Sequence, residues 1–293
     1  DLLRGDELSA EEIHALIDQA ISLKGNPRAC TRELDGKTLA MIFQKTSTRT
    51  RVSFEVAMAE LGGHAIYLDW RETNLEVGTL EDEIRCIDRY VDAIVARVNR
   101  HEYLLRIADA CQGPVINGLS DKYHPCQVLA DLMTIQEKLG ALRGIKLAYV
   151  GDGNNVCNSL IAEATKVGVL VAVATPPGYE PLAEVVEIGL KSALLELTND
   201  PKEAVAGADV VYTDSWVTLG KEAEQVKRER MFRPYQVNRA LLGEERPLIM
   251  HCLPAHRGKE ITDDLLDSPQ SIVFDQAENR LHTEKSLLLR ILR

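Results

Sequence analysis

Short apolar runs alternate with capped or periodic helical segments along almost the whole chain, and no other feature restricts its fold as strongly. Residues 39–43, His64–Asp69, 93–98, 114–117, Lys146–Val150, Leu170–Ala174, 194–197, 209–212, Leu248–His251 and 271–274 read as strands. Most are apolar throughout rather than alternating, as strands of a parallel sheet covered on both faces should be. Between them, the first helix begins with Ser9 and Glu12 in a Ser-x-x-Glu capping box. Ile13, Leu16, Ile17, Ala20 and Ile21 follow at helical spacing, and Gly25 ends the run. Further helices are expected over 46–61, closed by Gly62-Gly63, and over 80–90, 104–111, Pro125–Leu139, 155–167 and 283–292. Strand and helix alternating in this way predict an α/β fold. Gly140 and Gly144 separate two series, so the expectation is two open parallel-sheet α/β domains hinged near 135–145, with the functional site in the cleft between them. The domains would be 1–135 and 136–279, with a C-terminal helix, 280–293, packing back on the first.

Length agrees, since 293 residues is about twice a common domain. Acidic residues outnumber basic ones 45 to 34, a net charge of −11, which disfavours nucleic acid and anionic membrane surfaces as partners. A small anion held by local charges is not excluded. No uncharged apolar stretch reaches the ~18 residues of a spanning helix. The start, Asp1-Leu2-Leu3-Arg4, lacks the basic and apolar regions of a secretory signal, so a cytoplasmic location is expected. The six cysteines, Cys30, Cys86, Cys111, Cys126, Cys157 and Cys252, form no CxxC pair and suit neither a zinc site nor a disulfide framework. Free thiols in a reducing compartment are expected, five of them as small buried hydrophobes.

In open α/β sheets ligands gather at the carboxyl ends of strands, and five such ends carry chemistry here. Lys45-Thr46-Ser47-Thr48-Arg49-Thr50-Arg51 joins hydroxyls and three cations to a helix start, which suits a phosphate or similar anion. An ordinary N-cap with solvated arginines is the plainer alternative. In His124-Pro125-Cys126-Gln127, Pro125 fits the first helical position, and the imidazole and amide could both bond a carbonyl-bearing ligand; a structural histidine is the alternative. Gly151-Asp152-Gly153-Asn154-Asn155 is a partial dinucleotide fingerprint. Val156 replaces its third glycine, and the next strand ends Thr175-Pro176-Pro177 without the carboxylate a ribose needs. Asp214, leading into Ser215-Trp216-Val217-Thr218-Leu219-Gly220, could hold an ammonium group or cap a helix. Cys252, between His251 and His256, could be a ligand, a nucleophile or a buried thiol, and two imidazoles with one thiol are too few for an expected metal site.

Taken together, Ser47-Thr48-Arg49-Thr50-Arg51, His124-Pro125-Cys126-Gln127 and His251-Cys252-Leu253-Pro254, in this order and spacing, resemble the carbamoyltransferase family. The His-Cys-Leu-Pro stretch with Asp214 and Asn154-Asn155 resembles its ornithine branch, over about residues 42–280. The resemblance implies that Ser47, Thr48, Arg49 and Thr50 bind the phosphate of carbamoyl phosphate. It implies that Arg97 bridges phosphate and carbonyl oxygen, that His124 and Gln127 hold the carbamoyl carbonyl and amide, and that Arg280 completes that site. The backbone carbonyls of Cys252 and Leu253 would receive the carbamoyl NH₂. Asn155, Asp214, Thr218 and Leu219 would hold the α-amino and α-carboxyl groups of ornithine, with the Cys252 thiol tuning the amine's protonation.

The implied reaction carries the carbamoyl group to the δ-amine of L-ornithine through a tetrahedral intermediate, with no cofactor, metal or covalent intermediate. Arg97, His124, Cys252 and Thr50 would be the catalytic groups. Domain 1–135 would take carbamoyl phosphate and 136–279 ornithine, in a homotrimer or a multiple of trimers acting in arginine biosynthesis. Two departures stand out. Thr218-Leu219-Gly220 replaces the usual Ser-Met-Gly, and the loop 74–83, which in the family reaches a neighbouring subunit's site, is unusually acidic. The alternatives are a carbamoyltransferase for putrescine, lysine or an N-acylated ornithine, a nicotinamide-dependent oxidoreductase, and a non-catalytic binding protein.

Overall fold

The computed structural model describes residues 1–27, 30–217 and 224–293. It divides into two compact units, one formed by Asp1–Met133 with Glu278–Arg293, the other by Thr134–Ala277.

The first unit opens with α1 (Ala10–Gly25), and its capping box is complete: Glu12 N donates to Ser9 Oγ at 3.2 Å and Ser9 N to Glu12 Oε2 at 2.8 Å. The helix buries Ile13, Leu16, Ile17, Ala20 and Leu23, while Ile21 lies at the edge of the stripe. There follow β1 (Thr38–Phe43), α2 (Thr48–Glu60), β2 (His64–Asp69), α3 (Leu80–Asp88), β3 (Ala93–Arg97), α4 (His101–Ala110), β4 (Val115–Leu119) and α5 (Pro125–Leu139). The strands pair in parallel in the order β2-β1-β3-β4. Ala40, Ile42, Ile94 and Ala96 from the central strands pack with Ile84 of α3 and Leu104 and Ile107 of α4. Each such aliphatic side chain adds ~1.5–3 kcal/mol when fully buried. The edge strand β2 exposes His64 and Ile66.

The second unit contains β5 (Lys146–Val150), α6 (Asn155–Ala164), β6 (Leu170–Ala174), α7 (Ala183–Ser192), β7 (Leu195–Thr198), α8 (Pro201–Val205), β8 (Val210–Thr213), α9 (Gln225–Phe232), α10 (Arg239–Leu242), β9 (Leu248–His251) and α11 (Asp263–Leu266). Its all-parallel sheet has the order β7-β6-β5-β8-β9. The last helix, α12 (Val273–Leu292), begins in this unit, and its residues from Glu278 onward belong to the first.

Three sequence expectations need correction. Residues 271–274 are not a strand; Ser271 makes a single bridge to Ile249, and α12 starts at Val273. The expected start at residue 283 is too late because the helix's buried face is polar before it, with Gln276, Asn279, Arg280, Thr283 and Glu284 all inside, so no apolar stripe announces it. The cysteines are also less buried than expected. Only Cys126 and Cys157 are fully inside, Cys30 and Cys111 are half-buried, and Cys86 is exposed, on the side of α3 away from Leu80 and Ile84. Burial still pushes the Cys111 thiol up to about 12. Among the described residues no helix is long and apolar enough to cross a membrane.

The topology also says where ligands belong. Strand order reverses between β1 and β3 in the first unit and between β5 and β8 in the second. At such a switch point the loops leaving adjacent strands part and open a crevice at their carboxyl ends.

Candidate active site

At the first switch point the chain leaves β1 and enters α2 through Ser47. Its extended backbone (φ −158°, ψ 112°) lets Oγ accept from Thr50 N at 3.3 Å. No acidic side chain stands in the first turn of α2, so the positive helix end is not cancelled locally. Arg51 is turned elsewhere, paired with Glu55 at 2.9 Å and 3.8 Å over the Tyr67 ring. Arg97 ends β3 where the ladder to β4 slips, so that Ala96 faces Asn117 but Arg97 faces Leu119. Gly118 occupies the extra position, and a Cβ there would come within 3.0 Å of Val95 Cγ1. Such a bulge re-aims the neighbouring side chain.

His124, just before α5, is buried. Burial pushes its pKa well below the ordinary histidine value, and the charges of Arg280, Arg97, Arg49 and Lys45 push the same way. Burial and four cations acting on one imidazole all favour its neutral form. Lys45 feels the same crowding: burial first and Arg97 second bring it down to about 8, against the pull of Asp121.

Arg280 of α12 joins three of these elements. Its Nη2 donates to Thr50 Oγ1 at 3.2 Å and its Nη1 to Gln127 Oε1 at 3.0 Å. Nε and Nη2 also donate to Glu284 Oε1 at 3.0 and 2.6 Å, and Gln127 Nε2 donates to Asp131 Oδ1 at 2.8 Å. Because Thr50 Oγ1 accepts from Arg280, the threonine keeps its own proton to donate.

In the second unit Thr213 of β8 pairs with His251 of β9, which sets the next residues, Asp214 and Cys252, side by side. Cys252 Sγ donates to Asp214 Oδ1 at 3.0 Å, and Ser215 N donates to the same oxygen at 2.7 Å. Asn154 caps α6, its Oδ1 accepting from Val156 N and Cys157 N at 3.0 and 3.2 Å and from Tyr149 Oη at 3.1 Å. That fixes the amide so that Nδ2 donates to Asp214 Oδ2 at 2.7 Å. With about four acceptor positions on a carboxylate, these bonds leave Asp214 room on Oδ2 for one more N–H. Asn155, the first residue of α6, is also buried. Gly153 permits the tight approach of this loop to the segment before α7; its N donates to Tyr179 O at 2.8 Å, and a Cβ would lie 2.3 Å from Pro181 N.

The loop after β9 is held under strain. Leu253 sits at φ +57° and is followed by a cis peptide to Pro254; a left-handed conformation costs a non-glycine residue ~1–2 kcal/mol. Leu253 N donates to His251 Nδ1 at 2.8 Å, and Ser215 Oγ donates to Pro254 O at 3.2 Å. Since Nδ1 accepts, Nε2 of His251 bears the proton that faces Glu260 Oε1 at 3.2 Å. The ligating atoms of Asp214, His251 and Cys252 lie within 4.8 Å of one another, but this imidazole has no lone pair left for a metal.

The structure thus joins Thr50, Gln127 and Arg280 directly, gathers Arg49, Arg97 and His124 electrostatically, and bonds Cys252 to Asp214. Ser47 caps α2, Thr48 begins it, and Leu253 occupies the strained turn. Thr218 and Leu219 lie outside the described residues. In the acidic loop 74–83 two carboxylates are partnered, Glu76 accepting from the Trp70 indole at 2.8 Å and Glu81 pairing with Arg106 at 2.7 Å, which holds Glu81 down at about 2. Sequence reasoning missed several groups. In the sequence Asn154 reads only as part of a motif, but it orients Asp214; Lys45 reads as one of the loop's cations without a place in the site; and Glu284 backs Arg280, a partner that its i,i+4 spacing could have revealed. Arg228 is the largest omission. It is buried against Asp152 and the Trp216 carbonyl, 4.8 Å from the Tyr179 ring and 5.0 Å from that of Phe232, and so ties the segment before Asn154 to the one after Asp214.

Fold and site together define a two-unit α/β protein with a cationic cluster suited to an anion in one unit and a carboxylate-centred cluster suited to an amine in the other. The family model for the aspartate/ornithine carbamoyltransferase carbamoyl-P binding domain matches residues 1–137, and that for the Asp/Orn binding domain matches residues 143–291. The chain belongs to the aspartate/ornithine carbamoyltransferase family. It is 52% identical to the anabolic ornithine carbamoyltransferase of Pyrococcus furiosus over all of this chain and 96% of that protein. Among solved structures, ornithine carbamoyltransferase from P. furiosus superposes with a TM-score of 0.95 at 52% identity, covering all of this chain and 96% of that one. The Thermus thermophilus enzyme superposes at 0.92 with 45% identity, covering all of this chain and 99% of that one.

Proposed function

We infer that this chain transfers the carbamoyl group of carbamoyl phosphate to the δ-amine of L-ornithine, giving L-citrulline and phosphate. The observation that carries this function is the convergence of Thr50, Gln127 and Arg280, the first two bonded to the third, beside the buried His124, on which Arg280, Arg97, Arg49 and Lys45 all act. Thr50, His124 and Gln127 lie in the part of the chain matched by the carbamoyl-P binding domain. Carbamoyl phosphate falls to domain 1–135 with helix 280–293, and ornithine to domain 136–279. Ser47, Thr48, Arg49 and the start of α2 take the phosphate; Arg97 spans phosphate and carbonyl; His124, Gln127, Arg280 and the backbone carbonyls of Cys252 and Leu253 take the carbamoyl group. Asn155, Asp214, Thr218 and Leu219 take the α-amino and α-carboxyl groups of ornithine.

The neutral δ-amine attacks the carbonyl carbon, and the oxygen of the resulting tetrahedral intermediate gathers negative charge. Thr50, Arg97 and His124 are preset donors for that charge, so little reorganisation is needed as it develops. The C–O bond to phosphate then breaks, phosphate leaves with its electron pair toward Arg49 and the helix end, and the amine's proton passes to the departing phosphate, leaving citrulline and hydrogen phosphate. Holding both substrates in attack geometry supplies much of the remaining acceleration. We place the enzyme in the cytoplasm, in keeping with six free thiols, and as a homotrimer or a multiple of trimers.

Phosphate release from carbamoyl phosphate, measured with a panel of ornithine, putrescine, lysine and an N-acylated ornithine, tests the assignment. Ornithine should give the highest kcat/KM and citrulline as product. A different amine ranking first would overturn the second substrate, and no release with any amine would overturn the chemistry. Cys252→Ser should fold normally and lose part of its activity, with a changed pH profile for kcat/KM toward ornithine, because the thiol that now donates to Asp214 sits where the amine is expected. Full activity and an unchanged profile would remove the thiol from the mechanism.

A further inference from the structure

Two buried carboxylates, Asp131 and Glu284, stand beside the anion-binding residues with no part in the transfer derived above, and Glu284 is the one bonded to Arg280. Glu284 lies one turn after Arg280 on α12, and the two side chains are 1% and 2% exposed. A negative group beside a pocket for a phosphate is Coulombically unfavourable, and burying an ion pair costs several kcal/mol per ion before mutual attraction repays it. The attraction of Glu284 for Arg280 favours the charged guanidinium and so offsets part of that cost. Burial pushes the Glu284 carboxyl up to about 7 in spite of Arg280 and Ser53. A carboxyl raised in the folded state loses stability as pH climbs from its ordinary value toward 7.

The geometry gives it another function. Glu284 Oε1 takes both Nε and Nη2, gripping the guanidinium along one edge and fixing its plane. Of the five N–H groups of an arginine, two then serve Glu284, one reaches Thr50 and one reaches Gln127. One N–H, on Nη1, is left over. Thr50, whose oxygen is occupied by Nη2, must aim its own proton away from Arg280. Gln127, with its carbonyl held by Nη1 and one amide proton on Asp131, has a single N–H left to offer. A rigid guanidinium therefore sets three donors at once: the Thr50 hydroxyl, the Gln127 amide and the last N–H of Arg280.

We propose that Glu284 is a positioning residue for the carbamoyl end of the substrate, locking Arg280 so that it, Thr50 and Gln127 form one preset donor group, while Ser47, Thr48 and Arg49 hold the phosphate end independently. The proposal rests on the carbamoyl phosphate assignment above, and it divides the half-site into two ends that can be probed separately.

Binding to the full chain, measured by calorimetry with no amine present, uses carbamoyl phosphate and inorganic phosphate as probes. Glu284→Ala should weaken carbamoyl phosphate by about tenfold, the equivalent of one charge-assisted hydrogen bond, and leave inorganic phosphate within about twofold. Glu284→Gln, which keeps an acceptor for Nε, should recover most of the loss. Glu284→Asp keeps the charge but draws it back by one methylene, and should lose carbamoyl phosphate affinity severalfold with inorganic phosphate unchanged; it carries the test if the alanine variant does not fold. In turnover assays kcat should fall with Glu284→Ala while KM for ornithine holds. Equal weakening of both probes would mean a merely structural residue, and unchanged carbamoyl phosphate binding in the alanine or aspartate variant would mean no positioning; either overturns the proposal. A wild-type protein that binds carbamoyl phosphate no better than phosphate would instead sink the functional assignment itself.

Discussion

Arg97→Ala is expected to lower kcat for citrulline formation by about 10²–10³-fold, the range found on removing one preset donor to a developing oxyanion, while unfolding stays cooperative. The side chain is buried, 9% exposed, at the end of a strand whose other residues are all inside. Its backbone bonds, including Gln44 N to Arg97 O at 2.8 Å, do not depend on the side chain, so alanine should preserve the sheet. What alanine removes is the group proposed to touch both phosphate and carbonyl oxygen. It also removes one of the four charges that hold His124 neutral. Taking a cation away favours the protonated ring, so the His124 pKa should rise toward the ordinary value, though burial, the larger cause, will keep it below. Lys45 should likewise titrate higher than about 8, since Arg97 is the second cause of its depression. Arg97→Lys keeps the charge but not the planar fork that can bridge two oxygens, and should recover only part of the rate. Steady-state turnover at saturating substrates, with histidine titration by NMR, checks both statements. A kcat within about threefold of wild type in the alanine variant would remove Arg97 from the oxyanion site.

The sheets were legible because buried parallel strands are nearly continuous apolar runs, and Lys146–Val150, Leu170–Ala174 and Leu248–His251 coincide with β5, β6 and β9. Start and stop chemistry was legible too, in Ser9 with Glu12 and in the Pro125 helix start. Periodicity failed on α12, where the half that reaches into the anion pocket buries Asn279, Arg280 and Glu284 instead of leucines. A pattern of apolar residues cannot report a helix whose inside face serves a site. Ile272 and Val273 then read as strand because two apolar residues before a polar helix face carry no period of their own.

The strand-end residues of the site could be named one loop at a time, since topology alone sends ligands there. Their mutual bonds could not. Thr50 meets Arg280 across 230 positions, Gln127 meets it across 153, and Asn154 meets Asp214 across 60. Arg228 and Asp152 are 76 positions apart; Asp152 stands in the glycine loop after β5, but the segment around Arg228 reads as ordinary charged surface. Only packing brings such groups together, and only the folded register, Thr213 beside His251, puts Asp214 next to Cys252.

Asp214→Asn follows from that register and should be the most selective lesion in the second unit. The carboxylate now accepts from Asn154 Nδ2, Ser215 N and Cys252 Sγ. An asparagine must turn its NH₂ toward one of these donors, so it loses both the charge proposed to attract the ornithine ammonium and part of its own support. Truncating one partner of a buried, hydrogen-bonded charge pair costs ~2–5 kcal/mol, roughly 30-fold to 3,000-fold in kcat/KM for ornithine at about 1.4 kcal/mol per decade. Carbamoyl phosphate affinity should stay within about twofold, because the side chains proposed to hold it, Ser47 through Thr50, Arg97, His124, Gln127 and Arg280, all lie in the first unit, and what the second unit is proposed to add, the carbonyls of Cys252 and Leu253, is backbone. The measurement is kcat/KM for ornithine beside calorimetric binding of carbamoyl phosphate to the same preparation. If both fall together, Asp214 supports the fold rather than the amine. If neither falls, the ammonium is recognised elsewhere, and putrescine, which has no α-carboxyl group, becomes the amine to examine first. A loss confined to ornithine would separate the two half-sites experimentally, each unit losing its own substrate when its own charge is removed.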